Sequence, residues 1–320
     1  MTTVLTARIP EDLLAAVPVV LGFRPSESVV MLTFGGRHCF GARVDLPPRS
    51  APAGLLRELS DVLLAPAVEH GVDRVAFVLY SDDPALAARI GRRLVRVFLR
   101  ADIAVIDVLR AHGGRFTYVP CRDDRRERPM RPYDDHCHPF AAQAVFEGRV
   151  THASRDHLRA DLAADPDLRH ATRRALLALP LPEPEEHTSV LGLLQECVCR
   201  TRVPDDHEAA RMLRLVTRVE VRDAALFAVT DDTALDHLAV WSSLLRRAPD
   251  AQVPDTAAVT AFCAWRAGHG ALAWCALDRC FEVDAGHSLG LALAECLVRA
   301  VPPRAWSETG DRPDGESGTA

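Results

Sequence analysis

Six polar residues lie at the expected ends of β-strands and could do chemistry together: Ser26, Ser28, Arg43, Asp45, Tyr80 and Asp82. Hydroxyls, carboxylates and a guanidinium converging on a sheet edge can bind a small polar molecule or activate one. Ser28, Asp45, Tyr80 and Asp82 are the catalytic candidates. Arg43, Asp45 and Tyr80 are the ligand-binding set. Arg43 and Asp45 are two apart on one strand, so they share a face and can pair. Tyr80 and Asp82 fall at the C-terminal end of a buried-type strand, where α/β sheets place ligands. Each residue also has a structural reading. The serines can shape a turn, an exposed Arg43–Asp45 pair adds little stability, and Asp82 or Asp83 can cap a helix. No G-x-S-x-G elbow accompanies the serines.

Two further patterns name a chemistry and fall short of it. Gly268-x-Gly270-x-x-Ala273 has the letters of a dinucleotide fingerprint. That fingerprint needs a strand before it and a helix after it, so that the pyrophosphate meets the helix N-terminus. Here a helical pattern precedes it, which favours a turn between helices. Cys121, His136, Cys137 and His138 are zinc-type ligands, but they lack the close Cys pair of a structural knuckle, and Cys197-x-Cys199 is too tight on a helix. The expectation is no metal and no cofactor.

A basic helix is predicted over 84–100. Asp83 stands at the N-cap and Pro84 at the first helical position. Arg89, Arg93, Arg96 and Arg100 line one ridge, and Arg92 lies beside them. Leu86, Ile90, Leu94, Val97 and Phe98 form the opposite, apolar face. Such a ridge can grip an acidic partner surface or phosphates, or it can be a solvated face. More arginines follow at 122, 125, 126, 128 and 131, partly offset by acids.

These residues need a scaffold. Over 28–34 and 38–46 the pattern predicts two strands joined by a Gly35-Gly36 turn. A helix follows over 54–69, a buried strand over 75–80, the basic helix, another buried strand over 103–109 and a last strand over 116–119. That order implies an α/β domain over 1–139, a mixed sheet with flanking helices. From Pro139 on, only helical periodicity is visible. The helices are expected at 140–147, 155–164, 168–178, 189–200, 206–219, 233–245, 255–267, 271–283 and 288–300. They make an all-α domain over 140–306, split by a Pro- and Glu-rich linker at 179–187. Residues 307–320 have the composition of a disordered tail.

Composition narrows the function. The chain has 320 residues and a net charge of −6, and the acidic tail supplies half of that charge. The mildly acidic body argues against a nucleic-acid binder, which stays a third reading through helix 84–100. The chain contains no lysine and no asparagine. Without lysine there is no Schiff-base chemistry, no pyridoxal phosphate anchor and no Walker-type phosphate grip. Nine cysteines, an odd number without disulfide-scaffold spacing, suit a reducing cytoplasm. The apolar run 13–21 follows Glu11 and Asp12 and contains Pro18, so it reads as a helix of the fold and not as a leader. No apolar run reaches membrane-spanning length.

Two segments also carry a resemblance. The first is Pro18, Leu21-Gly22-Phe23, Pro25, Ser28-Val29-Val30 and Arg43-x-Asp45-Leu46-Pro47. The second is Ala264-Trp265, Gly268-x-Gly270-Ala271-Leu272-Ala273, Ala276-Leu277-Asp278-Arg279, Ser288-Leu289 and Pro302-Pro303-x-x-Trp306. Together with Tyr80, Cys121, Gly148 and Ser154-Arg155 between them, the chain resembles the actinobacterial domain-of-unknown-function family 4192 (DUF4192). Relatives often carry Cys-Cys-Pro shortly after the position of Cys121, where this chain has Asp124-Arg-Arg-Glu-Arg-Pro129. The resemblance implies no catalytic residues.

The sequence therefore leads to a cytoplasmic binding protein that acts through a partner or ligand and not by catalysis. The basic helix and a groove in the helical half are its expected surfaces. The alternative is a ligand-binding or hydrolytic enzyme using the sheet ends.

Overall fold

In a computed structural model, residues 6–121, 129–146, 150–181 and 186–306 are described. The chain forms two compact units, 1–157 with 298–300, and 158–297 with 301–320. The helix α4 (Pro139–Phe146) thus belongs to the first unit, beyond the expected boundary at 139. Residues 182–185 of the proposed linker and the whole of the proposed tail lie outside the described residues, as do the arginines at 122, 125, 126 and 128.

The first unit is a mixed α/β structure. Helix α1 (Pro10–Leu21) opens it, followed by β1 (Ser28–Phe34), β2 (Gly41–Asp45), α2 (Ala53–Glu69), β3 (Arg74–Tyr80), α3 (Pro84–Arg100), β4 (Ala104–His112), β5 (Arg115–Tyr118) and the short β6 (Arg131–Pro132). The six strands lie in the order β2-β1-β3-β4-β5-β6. Only β3 and β4 are parallel, joined through α3, and every other neighbour is antiparallel. β1 and β3 read as apolar runs because both sheet faces are covered there.

One face packs on α2 and α3 through Val29, Met31, Phe77, Leu79, Leu94 and Phe98. Phe77 and Phe98 meet edge to face with centroids 5.0 Å apart. Each such side chain, once fully buried, contributes about 2–3 kcal/mol. The other face packs on α1 through Leu14, Val17, Val30, Leu32, Val78, Leu109 and Phe116. Alternation along β1 sends Val29 and Met31 one way and Val30 and Leu32 the other. Helix α3 comes close to the sheet at Gly91, where a Cβ would stand 3.0 Å from Val119 Cγ1 and 3.1 Å from Cys121 Sγ. Asp83 caps α3 by accepting from the amides of Ala85 and Leu86, as its position before Pro84 predicts.

Differences from the sequence reading are local. β2 begins at Gly41, and His38–Phe40 contributes one backbone bond, from Thr33 N to Phe40 O, before it. β6 has no sequence signal, since Arg131–Pro132 is too short for a periodicity.

The second unit is helical. After α5 (Arg155–Ala160), which ends sooner than its pattern suggested, come α6 (Pro166–Ala178), α7 (Glu186–Cys199), α8 (Asp206–Leu215), α9 (Val219–Phe227), α10 (Ala234–Arg247), α11 (Val253–Arg266), α12 (Gly270–Val283) and α13 (Ser288–Val298). The expected single helix over 206–219 stops at Leu215 and restarts as α9. The Thr217 hydroxyl donates to Arg214 O at the break. Helix α11 is buried along almost its whole length, so it forms the core of the bundle and not the wall of a groove. Gly268, at φ +79°, ends α11 with its amide donating to Trp265 O. The Gly268-x-Gly270 pattern is therefore a turn between two helices. Trp265 is buried beneath it and donates Nε1–H to Val301 O at 3.0 Å.

Candidate functional site in the cleft at the sheet end

At the C-terminal end of β3 and β4 the first unit opens a cleft of about 370 Å³. Pro18 of α1 and four segments line it: Arg24–Glu27 after α1, Tyr80 and Ser81 at the end of β3, the β4–β5 hairpin at Ala111–Gly114, and Tyr133–His136 after β6. The carboxyl edge of a parallel strand pair is where α/β sheets leave room for ligands, because the crossover helix starts there and the strands diverge.

Register across the sheet explains what surrounds the cleft. Ser28 stands opposite Asp45 on one side and opposite Tyr80 on the other. Tyr80 in turn pairs with Ala111, and Ala111 with Phe116. Asp45, Ser28 and Tyr80 thus form one row on the α1 face. Of these, Tyr80 lines the cleft. Ser28 is fully buried behind it, and its Oγ has no hydrogen-bond partner among the described residues.

Arg43 and Asp45 stand beside the cleft. Arg43 donates to Asp45 Oδ1 at 2.5 Å and to Ser26 O at 3.5 Å, and its guanidinium lies over the Phe23 ring. It thereby supports the Ser26–Glu27 lip from outside. Asp82 is separate: it is exposed and pairs with Arg49 at 3.2 Å. The structure therefore brings Ser28, Arg43, Asp45 and Tyr80 into one neighbourhood and leaves Asp82 out.

Most of the polar lining comes from residues the strand-end argument did not select. Arg24 donates from Nε to Asp135 Oδ2 at 3.0 Å and from its second arm to His136 Nδ1 at 2.9 Å. Asp134 Oδ1 accepts from the backbone N–H groups of His136 and Cys137, closing a tight turn. Those bonds hold the Asp134 carboxyl below the usual carboxylate value. Burial pushes the Tyr133 phenol up to about 12, with the Asp135 charge adding to it and Arg24 opposing it. Tyr80 is pushed well above the tyrosine value by burial first, then by Tyr133 and Asp135. Neither phenol oxygen has a hydrogen bond to another described residue, so both are open to a ligand. The signal for this loop was present as His136-Cys137-His138, read for zinc. Its actual neighbours, Arg24 and Tyr80, are remote in sequence.

Cys121 and the 136–138 cluster do not assemble. Cys121 packs against α3, and burial pushes its thiol up to about 11. His138 turns away from the cleft to Asp12 Oδ1 at 3.1 Å. Among the described residues, no group of three or more His, Cys, Asp and Glu is arranged to hold a metal ion.

The arginine ridge of α3 divides. Arg89 donates to Ala51 O at 3.0 Å, and Arg93 donates to Leu56 O at 2.9 Å and Ser60 Oγ at 3.0 Å. These two tie α3 to α2 and its entry. Arg92, Arg96 and Arg100 are exposed, one turn apart on one face. Among the described residues, no helix is long and apolar enough to cross a membrane.

The family model for the domain of unknown function DUF4192 matches residues 10–304. No curated protein and no solved structure matches the chain.

Proposed function

The chain belongs to the DUF4192 family, and from its sheet-end cleft we propose that the protein binds a small polar molecule. The observation that carries this reading is the convergence of Arg24, Tyr80, Tyr133, Asp134, Asp135 and His136 on one cleft at the carboxyl edge of β3 and β4. Concave sites with a few oriented polar groups and shifted ionisations are the usual form of a ligand site. The role is binding and not catalysis. In the lining, Ser81 Oγ accepts from Asp83 N, and the His136 ring accepts from Arg24, so these two are not paired as nucleophile and base. We place the protein in a reducing cytoplasm, because its nine cysteines are odd in number and lack disulfide-scaffold spacing.

Amide-resolved NMR with a panel of polar fragments tests the reading. Binders should shift the amides of Gly113, Gly114 and Asp134–His136 before any others. If every binder in the panel leaves those amides unmoved, the cleft is not the site.

A second reading rests on the exposed row Arg92, Arg96 and Arg100. Three guanidiniums at one-turn spacing fit an acidic protein surface, and they replace the four-residue ridge that the sequence suggested.

A further inference from the structure

We infer that the group recognised in the cleft is an organic ammonium. This rests on the cleft being the binding site and adds the charge of its ligand.

Arg24 is the one guanidinium in the lining. Arg24 has no lone pair to accept with, so its contact with His136 Nδ1 is a donation from the guanidinium. An imidazole that accepts at Nδ1 carries its proton on Nε2 and is neutral. The other arm of Arg24 is committed to Asp135. The Arg24 charge is therefore matched by one carboxylate, and His136 adds none.

Two carboxylates remain uncompensated. Glu27 has no ion pair among the described residues, and it stands at φ +38° with its carbonyl accepting from Leu46 N. A non-glycine residue held at positive φ is costly, and such residues concentrate at functional sites. Asp134 is satisfied on Oδ1 by neutral backbone donors, which leave its charge in place. The Tyr80 and Tyr133 hydroxyls add neutral acceptors and their rings add electron-rich faces.

A lining rich in acceptors, with no unpaired cation, matches an ammonium group, which has three donors and no acceptor. An anionic ligand would meet two carboxylates in the lining, where the one guanidinium is already committed to Asp135.

Matched probes test this at pH 7 and physiological salt: benzylamine, benzyl alcohol and benzoate, followed by amide NMR on the full chain. Benzylamine should shift the cleft amides and bind at least about tenfold more tightly than the other two. Glu27→Gln and Asp134→Asn should each weaken it by about tenfold. The Asn keeps an acceptor for the turn amides, so the fold is retained. If benzyl alcohol or benzoate moves the cleft amides more strongly than benzylamine, the ammonium assignment is overturned while the cleft remains a site. Benzylamine binding that ignores both substitutions overturns it as well, and so does the absence of benzylamine binding.

Discussion

Arg24 and Asp135 are 111 positions apart in the chain, yet Nε of one stands 3.0 Å from Oδ2 of the other. The contact joins the segment leaving α1 to the loop after β6, so it closes one wall of the cleft onto another. Asp135 is mostly buried, and its charge reaches both lining tyrosines. Two other contacts flank the same loop: Arg131 pairs with Glu11, and His138 with Asp12. The loop that carries Asp134 and His136 is thus held at three points by residues from the first turns of α1 and from its exit.

Removing one side of that contact should cost more than removing both. Arg24→Met leaves a largely buried carboxylate unpaired and should destabilise the first unit by about 1–3 kcal/mol. Adding Asp135→Asn should recover part of that loss. All three tyrosines lie in the first unit, so their ring resonances, followed by NMR through a urea titration, report its transition. Equal losses for the single and double variants would show that the pair contributes no coupling.

The arginines of α3 should separate into two classes. Arg93→Ala removes donors to Leu56 O and Ser60 Oγ at the α2–α3 contact, and should cost about 1–2 kcal/mol. Arg96→Ala touches an exposed side chain and should stay within about 0.5 kcal/mol. The same urea titration compares them. A loss at Arg96 as large as at Arg93 would mean that the exposed row is structural too.

Acid should find a specific weak point in the second unit. Asp255 on α11 accepts from Arg222 of α9 at 3.1 Å and from His287, just before α13, at 3.2 Å. Burial alone would raise its pKa. The hydrogen bonds from His287 and Arg222 and their charges outweigh that and hold it below the ordinary 3.8. A carboxylate with a depressed folded pKa contributes stability that is full above the unfolded value. That contribution fades as pH falls below 3.8 through the lower folded value. Asp255→Asn should therefore cost about 1–3 kcal/mol at pH 7, with the gap to the parent narrowing below about pH 4. All four tryptophans lie in this unit, so their fluorescence follows it. A gap that stays constant down to pH 2 would remove the linkage.

Much of the fold was legible because it follows local rules. β1 and β3 read as continuous apolar runs because both sheet faces are covered. Asp83-Pro84 announces α3 through a cap and a fixed φ. Gly268 announces the α11–α12 turn through its freedom to take a left-handed φ. β6 was not legible, since two residues carry no periodicity and pair only because β5 presents an open edge to them. Neither was the split between α8 and α9, where the apolar pattern continues across a broken backbone.

The site divided in the same way. The row of Asp45, Ser28 and Tyr80 was foreseeable as polar residues at strand ends, and Arg43–Asp45 as neighbours on one strand face. Which of them faces open space was not, because that depends on what covers each end of the sheet. Asp82 is drawn off by Arg49, Ser28 is buried, and the lining is completed by Arg24, Tyr133 and the Asp134–His136 turn. By itself the sequence determined the elements, their approximate order and the chemical alphabet, including the absence of any lysine. Tertiary structure alone decided that a guanidinium at 24 meets a carboxylate at 135 and fixes the tautomer of an imidazole at 136. Local patterns act through neighbours three or four residues away, whereas the charge in a cleft is set by chain segments that the sheet brings together from a hundred residues apart.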